Sequence, residues 1–329
     1  MYAINEENLI KIAEDYTGNP LVVEGANGAL GISVATVLKH FCIRPSKLYL
    51  STWESDPHEI WQQLGLRIEI TKRSIQKSAL PKGLGDEKPG TVNVLYFSGY
   101  GQPGKFQTSP DQLIRANGAQ LFSYVNSPKI KSFAYASTAE IYHGITVAID
   151  ESTRFYVSPR HPRAPYCFAK LLGESIISNY VGINAERACV FRVSLAFPPL
   201  QVNNDERVLA DLVSSGKRDG VVRLFGGAEV KRQYQWGPNA VLQMMGAVSC
   251  GQANLYICAG THKLTLGDLA TKISTLLSCS LQIMEGEIAS SAHSNSSFVI
   301  DRIVRDSGVI LSTEKLLDDY LLEYIYGTS

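Results

Sequence analysis

Tyr166 and Lys170 stand four residues apart in the run PYCFAK, inside a segment from Ala164 through Tyr180 with helical composition. That spacing puts both side chains on one face of a helix, about one turn apart. A phenol with an ordinary pKa near 10 is protonated at neutral pH, and half ionisation at pH 7 needs a shift of about three units, roughly 4 kcal/mol. An ammonium group held beside it favours the phenolate, so the pair is read as a general base for a sugar or alcohol hydroxyl. Tyrosine and lysine fall four apart by chance in many helices, so this spacing alone carries little weight.

Two further stretches give it context. The strand-like run Ile130 to Ser137 ends in the small hydroxyl residues Ser137 and Thr138, followed by Glu140 and Tyr142. Such strand ends are where open α/β sheets place their ligands. Near the N-terminus, the apolar strand Leu21 to Glu24 is followed at once by Gly25, Gly28 and Gly31 and then by a helix through about Phe41. Glycine at such a turn removes the Cβ atoms that would block a pyrophosphate, and the following helix start offers free N–H groups with a positive dipole. Gly25, Gly28, Ala29, Leu30 and Gly31 are therefore the expected phosphate cradle. Together these features predict an α/β protein, a Rossmann-type doubly wound parallel sheet with a smaller α+β substrate lobe.

On these residues the chain resembles the extended short-chain dehydrogenase/reductases of the nucleotide-sugar epimerase, dehydratase and decarboxylase group. The similarity runs over nearly all of it: GANGALG at 25–31, ASTAEIY at 136–142, DESTRF at 150–155, PYCFAK at 165–170, FRVSLAFPP at 191–199 and KRQYQW at 231–236. The resemblance implies a 4-ketosugar intermediate, with Tyr166 taking the hydroxyl proton, Lys170 beside it and Thr138 steering the same oxygen. It places Ser51 and Thr52 at the adenosine ribose and Ser98 and Gly99 at the mouth of the sheet, and gives Arg192 and Arg232 to the substrate, Arg232 at its diphosphate; Arg207 is a candidate second phosphate contact, with a solvated helix position as the alternative. It also implies a homodimer through the helix at about Ser109 to Val125 and the helix of Tyr166.

The departures matter as much. No acid ends the second strand, Leu48 to Ser51, where NAD-binding relatives commonly carry one. The third strand, Leu66 to Ile70, runs into Thr71, Lys72, Arg73 and Ser74. Hydroxyl and basic groups there would accept a 2′-phosphate, which leaves NAD and NADP both open. After Arg192 the usual asparagine, tyrosine and glycine are replaced by Leu195, Phe197 and Pro198. Glu140 stands where similar dehydratases have a base, but Ala139 occupies the place of the aspartate that protonates a departing hydroxyl. Related decarboxylases need no such acid, because a β-keto carboxylate loses carbon dioxide unaided. The reading leans to dehydration or decarboxylation, with 4-epimerisation or ketone reduction as the alternative if Glu140 merely caps or pairs locally. A non-catalytic dinucleotide-binding relative is the alternative of another class, and the joint presence of Thr138, Tyr166 and Lys170 argues against it.

The remaining sequence sets bounds. At 329 residues the chain suits a large α/β domain plus a smaller partner. The expected division is 1–194, with about 230–258 returning, for the dinucleotide and 195–229 with 259–329 for the substrate. Lys and Arg number 31, as do Asp and Glu, so no nucleic-acid surface or polybasic membrane anchor is expected. The six cysteines show no metal spacing and read as buried thiols. No leader or spanning segment is evident, which predicts a cytoplasmic protein. Amphipathic spacing predicts helices near Leu9 to Tyr16, Glu206 to Ser215 and Leu264 to Leu276, the last with Thr265 at its start, and in the tail.

Overall fold

The computed structural model describes residues 3–53, 55–73, 80–99, 109–179, 187–202, 205, 207–285, 297–310 and 314–327. Helix α1, Glu6–Tyr16, is capped by Asn5, whose side chain accepts the Asn8 N–H. It leads into β1, Leu21–Glu24, which is buried at all four positions. A strand covered on both faces has no polar side to alternate with, which explains this unbroken burial. Then follow α2, Ala29–His40; β2, Leu48–Trp53; β3, Ile68–Arg73; and β4, Val92–Tyr96.

The helix expected from Ser109 forms as α3, Pro110–Arg115, and α4, Leu121–Val125, joined by a widened π turn at Ala116–Gln120. Next come β5, Ile130–Thr138; α5, Ala164–Asn179; and β6, Ala188–Val193.

After the short strand β7, Leu195–Phe197, the chain builds a smaller unit from α6, Val208–Asp219, β8, Val221–Phe225, and β9, Lys231–Trp236. Helix α7, Gly237–Cys250, returns to the larger unit and is followed there by β10, Leu255–Cys258. The smaller unit resumes with β11, His262–Thr265, α8, Leu266–Leu276, and β12, Ser280–Met284. The tail holds α9, Asp301–Ser307, and α10, Glu314–Tyr326. A capping box between Thr265 and Asp268 starts α8, as its sequence predicts.

Seven strands form one parallel sheet in the order β10-β6-β5-β4-β1-β2-β3. The order reverses between β1 and β4, and the crevice outside the strand ends at such a point is where doubly wound sheets take ligands. One face is covered by α2 and α7, with Ile32, Val37, Val241 and Met244 fully buried against Leu50 and Phe191. The other is closed by α4 and α5, which pack Leu121, Tyr124 and Ile176 against Phe133 and Tyr135. Each such side chain taken out of water contributes about 1.5–3 kcal/mol. The smaller unit has its own core, with Leu212, Leu269 and Leu321 packed around Trp236.

Three boundaries differ from the sequence reading. β3 runs on to Arg73, so Lys72 and Arg73 are strand residues with fixed directions. α6 begins at Val208 and ends at Gly220, whose φ of 67° terminates the helix in the left-handed region. The segment expected to return over 230–258 divides. β9 pairs with β7 and β11 in a three-stranded sheet, and only β10 joins the edge of the large sheet.

Candidate active site

The turn after β1 is built for close approach. Gly25 has φ of +82°, a left-handed conformation, and its N–H and that of Ala26 donate to the Ser51 carbonyl. A Cβ on Gly31 would lie 2.3 Å from the Gly25 carbonyl oxygen, so that glycine lets α2 press onto the turn. A Cβ on Gly28 would meet only the Gly25 oxygen, at 3.3 Å, and otherwise point into open space. No side chain caps α2, and its first backbone bond is made by Ile32 to the Gly28 carbonyl. The N–H groups of Ala29, Leu30 and Gly31 thus lie ahead of the helical ladder, where a helix start receives phosphate. This cradle fits the pyrophosphate of a dinucleotide.

The groups expected to read the adenosine ribose are committed elsewhere. The Ser51 hydroxyl donates to Glu24 Oε1 at 2.9 Å, and Gln120 donates to Glu24 Oε2 at 2.9 Å. Arg73 forms an ion pair with the same carboxylate and donates to the Tyr124 hydroxyl at 3.1 Å. Glu24 and Arg73 are both buried, at 0% and 3% exposure. A 2′-phosphate would have to draw Arg73 away from a carboxylate that has no access to water. Lys72 pairs with Asp56 at the surface, 2.7 Å apart. The Thr52 hydroxyl donates to the Ser55 carbonyl at 2.5 Å. Glu54 and Ser74, also considered for this end, lie outside the described residues.

At the ends of β4 and β5 the catalytic candidates converge. Lys170 is buried, and its Nζ donates to the carbonyls of Ser98 at 3.0 Å and Ala136 at 2.9 Å. An ammonium has three donors, so one remains. Gly99 has φ of +119°, and a Cβ there would come within 3.3 Å of Nζ. Tyr166 is half-buried and hydrogen-bonded with the Thr138 hydroxyl, which also accepts the Glu140 N–H at 3.1 Å.

The charges at this centre differ from the sequence expectation. Burial pushes the Tyr166 phenol up to about 12, against the lowering effect of Thr138. Burial also lowers Lys170 to about 7, with Glu174 opposing. Lys170 is directed at two backbone carbonyls. In the protein alone Tyr166 is a proton donor, and half ionisation at pH 7 would need a shift of about five units.

Glu140 is buried and accepts a hydrogen bond from Arg163 Nη1 at 2.8 Å. Burial raises its pKa above the ordinary carboxylate range, opposed chiefly by Arg163 and then by Arg232 and His161. The rings of His143 and His161 lie with centroids 4.2 Å apart and planes tilted by 44°. Arg232, on β9, makes no hydrogen bond among the described residues, and its Nε is buried without a partner. Of the three arginines expected at the substrate, it alone is left in that condition.

Arg192 is bonded to both oxygens of Glu174 and to the Tyr142 hydroxyl, a buried brace between β6 and α5. Arg207 is held by Asp205 and the Ala196 carbonyl. Two participants were not singled out from sequence. Arg163 sits one turn before Tyr166, but its side chain is aimed by a loop of no regular period. Asn117 lies in the π turn, accepting the Tyr135 hydroxyl at 2.7 Å and donating to the Leu113 carbonyl at 2.9 Å. π turns are enriched at functional sites, but a helical run of residues does not disclose one.

Among the described residues no group of three or more His, Cys, Asp and Glu side chains could hold a metal ion. No helix among them is long and apolar enough to cross a membrane.

A family model described as "NAD dependent epimerase/dehydratase family" matches residues 21–242. No curated protein matches the chain. Among solved structures, the chain is similar to the epimerase Mth375 of Methanothermobacter thermautotrophicus, with a TM-score of 0.75 and 15% identity over 97% of this chain and 96% of that one. It is similar to DesIV, a dTDP-glucose 4,6-dehydratase of Streptomyces venezuelae with NAD bound, with a TM-score of 0.73 and 15% identity over 93% and 96%. A UDP-glucuronic acid 4-epimerase of Bacillus cereus in complex with NAD gives a TM-score of 0.70 and 16% identity over 94% and 96%. At such identities the likeness shows the fold.

Proposed function

Because the chain belongs to the NAD dependent epimerase/dehydratase family, we propose that it oxidises a nucleotide-bound sugar to a 4-ketosugar and then dehydrates or decarboxylates it. The observation that carries this reading is the meeting of β5 and α5. Thr138 is hydrogen-bonded with Tyr166, and Glu140 stands close enough for its charge to act on the same phenol. Thr138 and Tyr166 would hold the hydroxyl to be oxidised, and Tyr166 would carry its proton. The oxidised dinucleotide, when bound, supplies the acceptor for the hydrogen leaving carbon and a cationic ring beside the phenol.

That added positive charge acts in the direction Tyr166 needs, since a nearby cation favours phenolate. Gly28 to Gly31 would hold the pyrophosphate, and Ser98 and Gly99 would border the nicotinamide end. While Lys170 is protonated, its remaining donor suits a ribose hydroxyl. NAD is preferred over NADP here, because Ser51 and Arg73 are spent on Glu24. Arg232 would meet the substrate diphosphate, a task suited to a planar guanidinium. In a dehydratase Glu140 would then remove a proton beside the new ketone and pass it to the departing hydroxyl, which leaves as water, with the hydride returned to the resulting unsaturated sugar. A decarboxylase would need only the ketone itself to release carbon dioxide.

A specific observation favours a second reading. Glu140 is tied to Arg163, and a carboxylate so paired needs no chemical role in a 4-epimerase or ketone reductase. Purified protein with NAD and a panel of UDP-, GDP-, CDP- and dTDP-linked glucose and glucuronic acid decides between them by product mass. Loss of water marks dehydration, loss of carbon dioxide marks decarboxylation, and a new isomer of unchanged mass marks epimerisation. No ketosugar or product from any member of the panel would overturn the enzyme reading.

The protein is further proposed to act in the cytoplasm as a homodimer. Ile114, Phe122, Phe168 and Leu172 are exposed on α3, α4 and α5, an apolar set that a second copy would cover.

A further inference from the structure

Arg163 is anchored at two points. Its carbonyl accepts the Cys167 N–H at 3.1 Å, the first backbone bond of α5, and its own N–H donates to His161 Nδ1 at 3.2 Å. Its side chain reaches back to the turn after β5 and donates to Glu140 at 2.8 Å. The two side chains are only 23% and 10% exposed. Tyr166 follows three residues later on the same helix. One residue therefore fixes the carboxylate relative to the head of the helix that carries the phenol.

Resting on the reading that Glu140 acts on the ketosugar, we propose that Arg163 is the positioning residue that keeps Glu140 ionised and aimed at the carbon beside the ketone. A carboxylate removed from water and left unpaired takes up a proton instead of paying the desolvation cost. A protonated Glu140 cannot accept a proton from carbon. Burial is the larger influence on this carboxyl, so Arg163 opposes a real tendency to neutralise.

The other titratable and charged groups around the carboxyl do not replace it. Arg232 on β9 and His161 in the loop before α5 act in the same direction but more weakly, and neither is hydrogen-bonded to Glu140. Tyr166 and Cys167 on α5 are both held protonated by burial. His143, just beyond Glu140, is lowered by burial and by the Arg163 charge. A lysine at 163 would retain the charge but lose the fixed fork of donors.

The test uses full-length protein carrying ¹³C-labelled glutamate carboxyls, with the Glu140 resonance identified by its loss in Glu140→Gln. Arg163→Gln is expected to raise the Glu140 pKa by about one to three units, and Arg163→Lys by less. With the first panel sugar that yields a ketosugar, the acid limb of deuterium uptake beside the ketone should move to higher pH by the same interval. Formation of reduced dinucleotide, which depends on Tyr166, should keep nearly its own pH profile, because Arg163 is the weakest of the influences named on that phenol. An unmoved Glu140 titration in both variants would overturn the proposal while ketosugar formation still stood. Failure of the wild type to oxidise any panel sugar would instead remove the functional reading and this proposal with it.

Discussion

Tyr166 and Lys170 share a helix face, but their ionisation is set by different surroundings. Burial moves the phenol up to about 12 and the amine down to about 7, so at neutral pH the phenol is protonated and the amine only partly charged, unlike a simple phenolate–ammonium pair. Replacing Tyr166 by Phe keeps the ring and removes the proton carrier. Turnover should fall by roughly 10²–10⁴-fold with NAD affinity little changed in a fluorescence titration; wild-type rates would exclude the phenol from catalysis.

Lys170 makes a prediction about stability. Between pH about 7 and 10.5 the unfolded chain keeps a proton on this lysine that the folded protein has released. Raising pH through that window therefore favours folding, by up to about 1.4 kcal/mol per pH unit. Lys170→Met should lack this contribution when urea midpoints of the two proteins are compared across the window. Parallel curves would mean that Lys170 stays charged in the folded protein.

At the scale of elements, the site depends on how strand ends are tied together. Glu24 ends β1, Arg73 ends β3, and Tyr124 and Gln120 lie at α4, all meeting at one buried carboxylate. Arg73→Met would leave Glu24 buried without its counter-charge, a change that costs about 3–5 kcal/mol. Chemical denaturation should show that loss, whereas a fall under 1 kcal/mol would mean that the pair contributes little. The first strand, glycine turn and second helix were legible because each signal is local: a short apolar run, glycines at turn spacing and a helical period. The Glu24–Arg73 pair was not, because two charges 49 positions apart become neighbours only when three parallel strands align.

The whole molecule gathers Thr138, Tyr166 and Lys170 where β5 meets α5, and carries Arg232 on β9 in the smaller unit. The outer faces of α3, α4 and α5 leave Phe168 44% and Leu172 41% exposed, on the very helix that presents Tyr166 on another side. A paired Phe168→Glu and Leu172→Glu variant should shift light-scattering mass from dimer to monomer. An unchanged mass would place the contact elsewhere or leave the protein monomeric from the start.

Sequence by itself determined the doubly wound class, the glycine turn after the first strand and the helix that bears Tyr166 and Lys170, since these follow from residue types at fixed short spacings. Tertiary structure alone decided that Lys170 turns to the Ser98 and Ala136 carbonyls, that Arg73 and Arg192 are internal braces, and that Arg163 holds Glu140. Direction and ionisation depend on which distant groups share a buried volume, and spacing along the chain does not specify that.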